Sequence, residues 1–438
     1  MKLARPLVLL TAFALAPLVH AEDLLGIYNL ALQQDPQLAE ARARYAADHT
    51  LLAQNRATLM PTVSANANTA RNARGPENTF SYADASNSNG YNVNLQQAVV
   101  DFAAWYNWKS AKAEDQRAQA QLMKGEQEMI MRVARAYFEV LRAQESLGVA
   151  DAELNAASAS LDLQQARFDV DLAAITDVNQ AQANADLARV SRLREERALN
   201  QARLALEVIT GSAHEQLEGL SGRFPIIPVE PASADAWVQL ADESSPDVQV
   251  ARFDFAAKTE DAKAARSALL PRVTASATYN WAAATQNPFA VRANEAQEAA
   301  ILQLNLTMPI FNGGANRARM RQAYHLRTLS EQTKVRTERE NARSTRDSFL
   351  GVETDVLAVR AGQQAVVSAQ SALDAVNTGL EIGTRNTVDV VGAQRDLFRA
   401  QRDLARARYD YVIDTLLLKQ AAGVLSPEDV RALNEWLE

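Results

Sequence analysis

The chain contains no cysteine among its 438 residues. Disulfides, thiol chemistry and a lipid-modified N-terminal cysteine are therefore excluded. Beyond residue 21 there are three histidines, at positions 49, 214 and 325, too far apart for the spacing of a helical zinc motif. Without cysteine or such a spacing, no zinc centre is expected.

Motifs for catalysis and nucleotide binding are also missing. The sequence has no GxSxG, GxGxxG or P-loop pattern. Its abundant Asp and Glu residues mostly share helix faces with Arg and Lys, which is typical of solvated surfaces. Because no nucleophile, base or metal-ligand group stands out, the sequence predicts a protein that is not an enzyme and binds no cofactor.

The longest apolar run, at 6–19, is shorter than the roughly 20 residues of a transmembrane helix. Lys2 and Arg5 precede it and small Ala21 follows it, which predicts a signal peptide over 1–21. Removing these two cations changes the formal charge from −8 to −10, and so acidic an exported chain is a poor candidate for binding nucleic acid. A chain without apolar helices could enter a membrane only as β-barrel strands.

Proline is absent from 77–224 and 310–426, and both tracts are rich in helix formers. Each tract is interrupted once, near 169–176 and 381–388, which predicts two hairpins of antiparallel helices. A tract of about 65 residues before such a turn would extend on the order of 100 Å. Large apolar residues recur every seven positions and predict coiled-coil packing. They are Leu147, Leu154, Leu161 and Phe168, then Val390, Leu397, Leu404, Tyr411, Leu418 and Leu425.

The chain repeats itself at an offset of 210 to 212 residues. Asp35-Pro36 corresponds to Ser245-Pro246, and Thr176-Asp177-Val178 corresponds to Val388-Asp389-Val390. This predicts a first structural repeat over 22–220, a linker over 221–245 and a second repeat over 246–438. Each repeat would hold a helix, a strand hairpin and a long helical hairpin.

The two strand hairpins are predicted at 62–100 and 272–309, where apolar and polar residues alternate. Polar turns are expected at 72–90 and 286–296. Such strands suit either a soluble sandwich with one wet face or a transmembrane barrel. The export signal, with Tyr279 and Trp281 near a strand end, favours the barrel. Four strands cannot close a barrel with a lumen, so several copies of the chain would have to pool them.

The segments FDVDLAAITDV (168–178) and LEIGTRNTVDV (380–390), with the duplicated unit, resemble the bacterial outer membrane efflux proteins. The resemblance covers Asp23 to about Leu433. It implies an α+β membrane protein in the cell outer membrane, a homotrimer whose chains each give four strands to one 12-stranded β-barrel. That barrel would continue into a long periplasmic α-helical barrel of coiled coils. Implied partners are outer-membrane lipid, a periplasmic adaptor (membrane fusion) protein and an inner-membrane pump of RND, ABC or MFS type. The implied function is export of small molecules or of proteins by type I secretion.

The resemblance also places an entrance at the helical turns. It implies that Thr176, Asp177 and Arg385 form polar links that hold the entrance shut, and that Asp389 lines the pore. The hairpin turns themselves centre on Asp171 and Gly383. A pair between Arg385 and Asp177 is the hypothesis for the closed state.

Three positions depart from the family pattern. Leu380 stands where a tyrosine that joins the links is expected, Gly392 where a second pore-lining aspartate is expected, and Asp171 where the second copy keeps a glycine. These departures predict a weaker latch and a single acidic ring. A different class of protein, an exported structural coiled coil such as an adhesin or spacer, would explain the heptads and the signal peptide. It would not explain two equivalent amphipathic strand hairpins.

Overall fold

The computed structural model describes residues 21–73, 85–286 and 296–438. The signal peptide up to residue 20, and the middle of both predicted strand turns, lie outside these ranges. The elements in chain order are α1 (Leu24–Gln34), α2 (Pro36–Ala57), β1 (Thr62–Ala73), β2 (Ala85–Val100), α3 (Phe102–Asp169), α4 (Ile175–Thr210), α5 (Ala234–Ser244), α6 (Pro246–Ser267), β3 (Arg272–Gln286), β4 (Gln297–Thr307), α7 (Ala315–Glu381), α8 (Thr387–Ala421) and α9 (Pro427–Asn434).

The four predicted strands form one antiparallel sheet in the order β1-β2-β3-β4. The two repeats meet where β2 pairs with β3, and there the rings of Tyr91 and Trp281 stack with centroids 5.3 Å apart. Among the described residues, β1 and β4 each have only one strand partner, so the sheet has two open edges. An open edge exposes unpaired backbone N–H and C=O groups, which another strand can satisfy.

Strand β2 begins earlier than its sequence indicates. Residues 85–90 are rich in Ser, Asn and Gly and were expected to belong to a turn, yet they pair with β1 and β3. The polar side chains of residues 87–89 alternate between the two faces of the sheet, and Asn89 shares the face of Tyr91 whereas Asn94 lies on the opposite one. Thr69 donates a 2.7 Å hydrogen bond to Asn89, and Thr278 donates one of 2.9 Å to Asn94. The composition that suggested a turn therefore belongs to a strand that is polar on both faces near this end.

The long helices α3 and α7 are unbroken over 68 and 67 residues, roughly 100 Å each. Next to the sheet they belong to a row in the order α2–α3–α6–α7, and farther away to a row in the order α4–α3–α8–α7. One flank of the chain therefore consists of β1, α2 and α4. The other flank consists of β4 and α7.

The main hydrophobic core lies midway along the long helices. Tyr137 and Phe138 of α3 are fully buried there, beside Leu24 of α1 and Trp237 of α5. The hydroxyl of Tyr137 donates to the carbonyl oxygen of Glu218 at 2.8 Å, which ties the connecting segment to α3. This core joins the two repeats halfway between the sheet and the helical turns.

The predicted linker over 221–245 is only partly a linker, because it contains α5. Helix α5 lies 210 residues after α1, so it is the second copy of that helix and buries Trp237 and Ala241 in the shared core. Its short length and the prolines just before it concealed its helical pattern. In the described part of the chain, no helix is both long and apolar enough to cross a membrane.

Candidate functional site

The first helical turn joins α3 to α4 and has a Schellman-type geometry. The N–H of Leu172 donates to the carbonyl of Arg167 at 2.8 Å, and the N–H of Asp171 donates to that of Phe168 at 3.0 Å. Asp171 has φ of +58°, in the left-handed region. Aspartate tolerates this conformation better than most L-residues but less well than glycine.

The second turn, between α7 and α8, repeats this geometry. Gly383 has φ of +77° at the position equivalent to Asp171. The N–H of Thr384 donates to the carbonyl of Gly379 at 2.8 Å, and the N–H of Arg385 donates to the same oxygen at 3.1 Å. Asp171 and Gly383 therefore do occupy equivalent left-handed turn positions. The gating roles implied for their neighbours remain predictions.

Gly379 is a determinant that the sequence did not single out. It is buried, and a Cβ built on it would lie 2.6 Å from Cγ of Arg385. The aliphatic stem of Arg385 can lie across the helix only because residue 379 has no side chain. At the equivalent positions of the first turn the residues are Arg167 and Ala173. The two turns therefore share a backbone geometry, but the arginine comes before the first turn and after the second.

Asp177 and Asp389 both lie at the third position of the helix that follows a turn. The Asp389 carboxylate accepts from the N–H of Asn386 at 3.2 Å, while the Asn386 side chain accepts from the N–H of Asp389 at 2.9 Å. This is a reciprocal capping box. The Asp177 carboxylate accepts from the N–H of Ala174 at 3.4 Å. Both aspartates thus help to begin a helix, a role that the Asn-x-x-Asp spacing at 386–389 could have revealed.

Arg385 lies 4.0 Å from the Asp389 carboxylate, and both side chains are partly exposed. This is the sole ion pair of Arg385 among the residues that the structure describes, and its predicted pair with Asp177 is not formed within the single chain. An exposed pair of this kind contributes about 0–1 kcal/mol. The Arg385–Asp177 pair stays a prediction for the assembled, closed entrance.

The remaining predicted positions lie around these turns. Leu380 packs beside the small buried cluster of Leu373, Val390 and Leu397, which holds α7 to α8. Gly392 is exposed, and no heavy atom lies within 4 Å of its Cβ position. Thr176 is exposed at the start of α4. Leu380 therefore has a packing role in place of the hydrogen bond that a tyrosine would make.

Polar contacts connect the two helical hairpins, and the sequence did not predict them. Arg395 of α8 donates a 2.7 Å hydrogen bond to Asn184 of α4. Farther from the turns, Arg402 of α8 forms a 3.0 Å ion pair with Glu153 of α3. Since water can replace such partners more easily than it replaces a packed apolar seam, the hairpins are joined here by exchangeable contacts.

Exposed apolar side chains surround both turns, and Leu172 is the most exposed of them at 78%. They are Val170, Leu172 and Ile175 at the first turn, and Ile382 and Val388 at the second. In the described residues, no group of three or more His, Asp or Glu side chains is arranged to hold a metal ion. The turns therefore offer a surface for contact, with charge from Asp177, Arg385 and Asp389.

The comparisons with known proteins agree with this architecture. The pattern of the family described as "Outer membrane efflux protein" matches residues 27–212 and 237–424. Outer membrane protein TolC of Vibrio cholerae is 31% identical over 97% of this chain and 96% of its own length. Alkaline protease secretion protein AprF of Pseudomonas aeruginosa is 27% identical over 94% and 86%. The Campylobacter jejuni CmeC outer membrane channel superposes with a TM-score of 0.80 at 15% identity, over 95% of this chain and 90% of that one.

A strand sheet with an exposed apolar face, continuous with helices of about 100 Å, is the fold of an outer membrane channel. The two matched ranges include both repeats. The chain belongs to the outer membrane efflux protein family. Its location is the outer membrane, with a helical extension into the periplasm.

Proposed function

We propose that three copies of this chain close into a ring that exports cargo through the periplasm and the outer membrane. The observation that carries this proposal is the pair of unlike flanks, β1, α2 and α4 on one side and β4 and α7 on the other. A contact between unlike surfaces repeats head to tail and closes into a ring when the rotation allows it. In a membrane, closure also removes the open sheet edges.

Exposed apolar residues on the helical flanks support this arrangement. On α4 they include Val190 and Leu204, and on α7 they include Leu350 and Val367. Leu204 and Leu350 both lie about 45 Å from the turn end of their helices, at 1.5 Å per residue. Val190 and Val367 both lie about 20 Å from it. The flanks of neighbouring copies would therefore bring apolar residues together at matching heights.

Cysteine crosslinking tests the ring, and the natural chain contributes no competing thiol. The double variant Leu204→Cys/Leu350→Cys should give covalent trimers in outer membranes treated with a short bis-maleimide. The matched control Leu204→Cys/Val367→Cys places the thiols at different heights and should remain mostly monomeric. The ring is wrong in this form if the control crosslinks as well as the first pair, or if neither exceeds the monomer.

The turns at the far end are the proposed docking point for a periplasmic adaptor and, through it, an inner-membrane pump. Their exposed apolar residues, the match to the outer membrane efflux protein family and the protease secretion relative support this assignment. An exported coiled-coil spacer would not account for the open-edged sheet or for membership of this family. Cargo can be small molecules, proteins or both.

A photo-crosslinking residue placed at 172 tests docking in living cells. We expect it to capture a periplasmic adaptor, identified by mass spectrometry. The same probe at 227, which is 60% exposed but lies at the central core, should not capture it. Equal capture at both positions, or capture of the adaptor at 227 alone, would contradict docking at the turns.

A further inference from the structure

The junction between β4 and α7 carries an unusual density of positive charge. From residue 299 to residue 330 the sequence has no Asp or Glu, yet it has arginines at 317, 319, 321 and 327. Three of these four fall in the first two turns of α7. Cations at this end of a helix oppose the helix dipole, which favours anions there. The arrangement therefore calls for negative charge from outside this segment.

Arg317 and Arg321 lie on one face of α7 because they are four residues apart. Both are exposed, and in the described part of the chain neither has a hydrogen-bond or ion-pair partner. Some arginines farther along the same helix are paired, and Arg336 lies 3.1 Å from Glu340. Arg319 is rotated by about 200° from Arg317 and lies on a different face.

One side of α7 contacts α6, where Ser330 donates a hydrogen bond to Asp254. The face with Arg317 and Arg321 comes next around the circumference of α7. Beyond it comes an apolar edge that includes Leu329. Arg317 therefore lies on neither the side of the preceding helix nor the apolar edge, and Arg321 lines the near border of that edge.

Helix α3 runs in the same direction and shows the same order of faces. Around the circumference of α3, Asp115 marks the side that contacts α2. Trp105 and Lys109 come next, and after them comes Ser110, on the side that contacts α6. The Nζ of Lys109 lies 5.6 Å from the ring centre of Trp105. The arginines of α7 and this Trp–Lys pair of α3 consequently lie on the same side of the helix row.

Both groups lie just beyond the sheet, where the chain leaves the membrane. The residues immediately before α7 include Ile310 and Phe311, which are 92% and 85% exposed. Exposed aromatic and aliphatic side chains next to basic ones suit the boundary between acyl chains and headgroups. We propose that Arg317 and Arg321 bind the phosphate headgroup of an anionic phospholipid in the leaflet at this end of the sheet. Trp105 and Lys109 contact the same headgroup layer.

This assignment rests on the outer membrane location and does not depend on the ring or the pump. A guanidinium pair binds phosphate oxygens with directional, charge-assisted hydrogen bonds. Phosphatidylcholine also has a phosphate but carries no net negative charge. We therefore expect the site to prefer phosphatidylglycerol.

Native mass spectrometry of the full-length protein, exchanged into micelles doped with equal amounts of phosphatidylglycerol and phosphatidylcholine, tests the site. We expect the natural protein to retain phosphatidylglycerol preferentially. Arg317→Gln/Arg321→Gln should reduce that preference by about fivefold for each arginine removed, the effect of one basic residue near an anionic surface. Arg319→Gln and the double variant Arg336→Gln/Arg343→Gln should retain it, and Arg317→Lys/Arg321→Lys should retain most of it.

Thermal unfolding monitored by circular dichroism identifies variants that fail to fold. If the Gln double variant fails to fold, the lipid preferences of Arg317→Lys/Arg321→Lys and Arg319→Gln are compared with that of the natural protein. An unchanged lipid ratio in the folded Gln double variant would overturn the proposal. So would an equal loss in Arg319→Gln. Displacement of bound phosphatidylglycerol by millimolar inorganic phosphate would assign the site to free phosphate and would also overturn it.

Discussion

Gly379 and Arg385 are matched in shape, since a Cβ on Gly379 would approach Cγ of Arg385 to 2.6 Å. The contact fixes the stem of Arg385 across the last turn of α7, and the guanidinium then lies 4.0 Å from Asp389. A missing side chain on one helix thus determines where a charge stands at the proposed entrance.

Gly379→Val should displace Arg385 and loosen the closed entrance. The lost contact is worth about 0.5–1 kcal/mol and favours the closed state of the entrance over the open one. We therefore expect single-channel conductance in planar bilayers to rise roughly twofold or more. Gly148→Val is the matched control, because Gly148 also lies within a long helix, is exposed and has no neighbour within 4 Å of its Cβ position. Equal conductance in both variants would remove Gly379 and Arg385 from any gating role.

Asp389→Asn should weaken cation selectivity while preserving the turn. An asparagine oxygen can still accept the hydrogen bond from the N–H of Asn386, so only the charge is lost. A ring of three such charges favours cations, and we expect the cation-to-anion permeability ratio to fall on the order of twofold. Reversal potentials in a salt gradient measure this. Asp177→Asn, at the same capping position of the other turn, should change selectivity less, and an equal or larger effect there would count against Asp389 as the pore-lining residue.

The two turns should respond in opposite ways to substitutions at their left-handed positions. Asp171→Gly relieves the left-handed conformation of an L-residue and should stabilise the protein by about 0.5–1 kcal/mol. Gly383→Ala introduces that strain and should destabilise by about 1 kcal/mol. Thermal unfolding in detergent measures both. Gly148→Ala, within α3, is the control for the replacement itself and should be neutral or stabilising, because alanine favours helix. Stabilisation by Gly383→Ala would refute the assignment.

Asp355 of α7 should make stability depend on pH. Burial, and secondarily the charge of Asp414 on α8, raise the pKa of Asp355 to about 7. A folded-state pKa above the unfolded value contributes stability below about pH 4 that is lost as pH rises through 7. Asp355→Asn should therefore raise stability at pH 8 by about 1 kcal/mol, a figure reduced for its partial exposure, and flatten the profile.

Melting temperatures between pH 4 and pH 8 would record this difference. Asp347→Asn, on the exposed side of the same helix, should leave the shape of the profile unchanged. A parallel shift of the whole Asp355→Asn curve would mean that the carboxyl does not titrate differently on folding.

The sequence predicted the elements whose pattern persists over many residues. The proline-free tracts indicated α3 and α7, and alternation indicated the four strands, because both signals come from repeated burial on one face. Short elements were missed. Helices α1 and α5 have 11 residues each, too few for a period to stand out beside neighbouring prolines.

The site was only partly predictable for a different reason. Left-handed turns at Asp171 and Gly383 follow from local composition, and the capping box at Asn386 could have been read from its spacing. The contact between Gly379 and Arg385 depends on how the chain reverses after the helix. The link between Arg395 and Asn184 joins residues 211 positions apart. No local pattern encodes either contact.

The central core also sets the mechanics of the far end. From Tyr137, which is fully buried there, α3 continues for 32 residues, or about 48 Å, to its end at Asp169. With the core as fulcrum, a tilt of about 10° would carry the tip sideways by about 8 Å over this arm. In the proposed ring, a small sideways force at the turns would therefore widen the opening considerably, while the membrane end would stay fixed. The long helices thus act as arms that pivot about the central core, and small rotations there become large displacements at the turns.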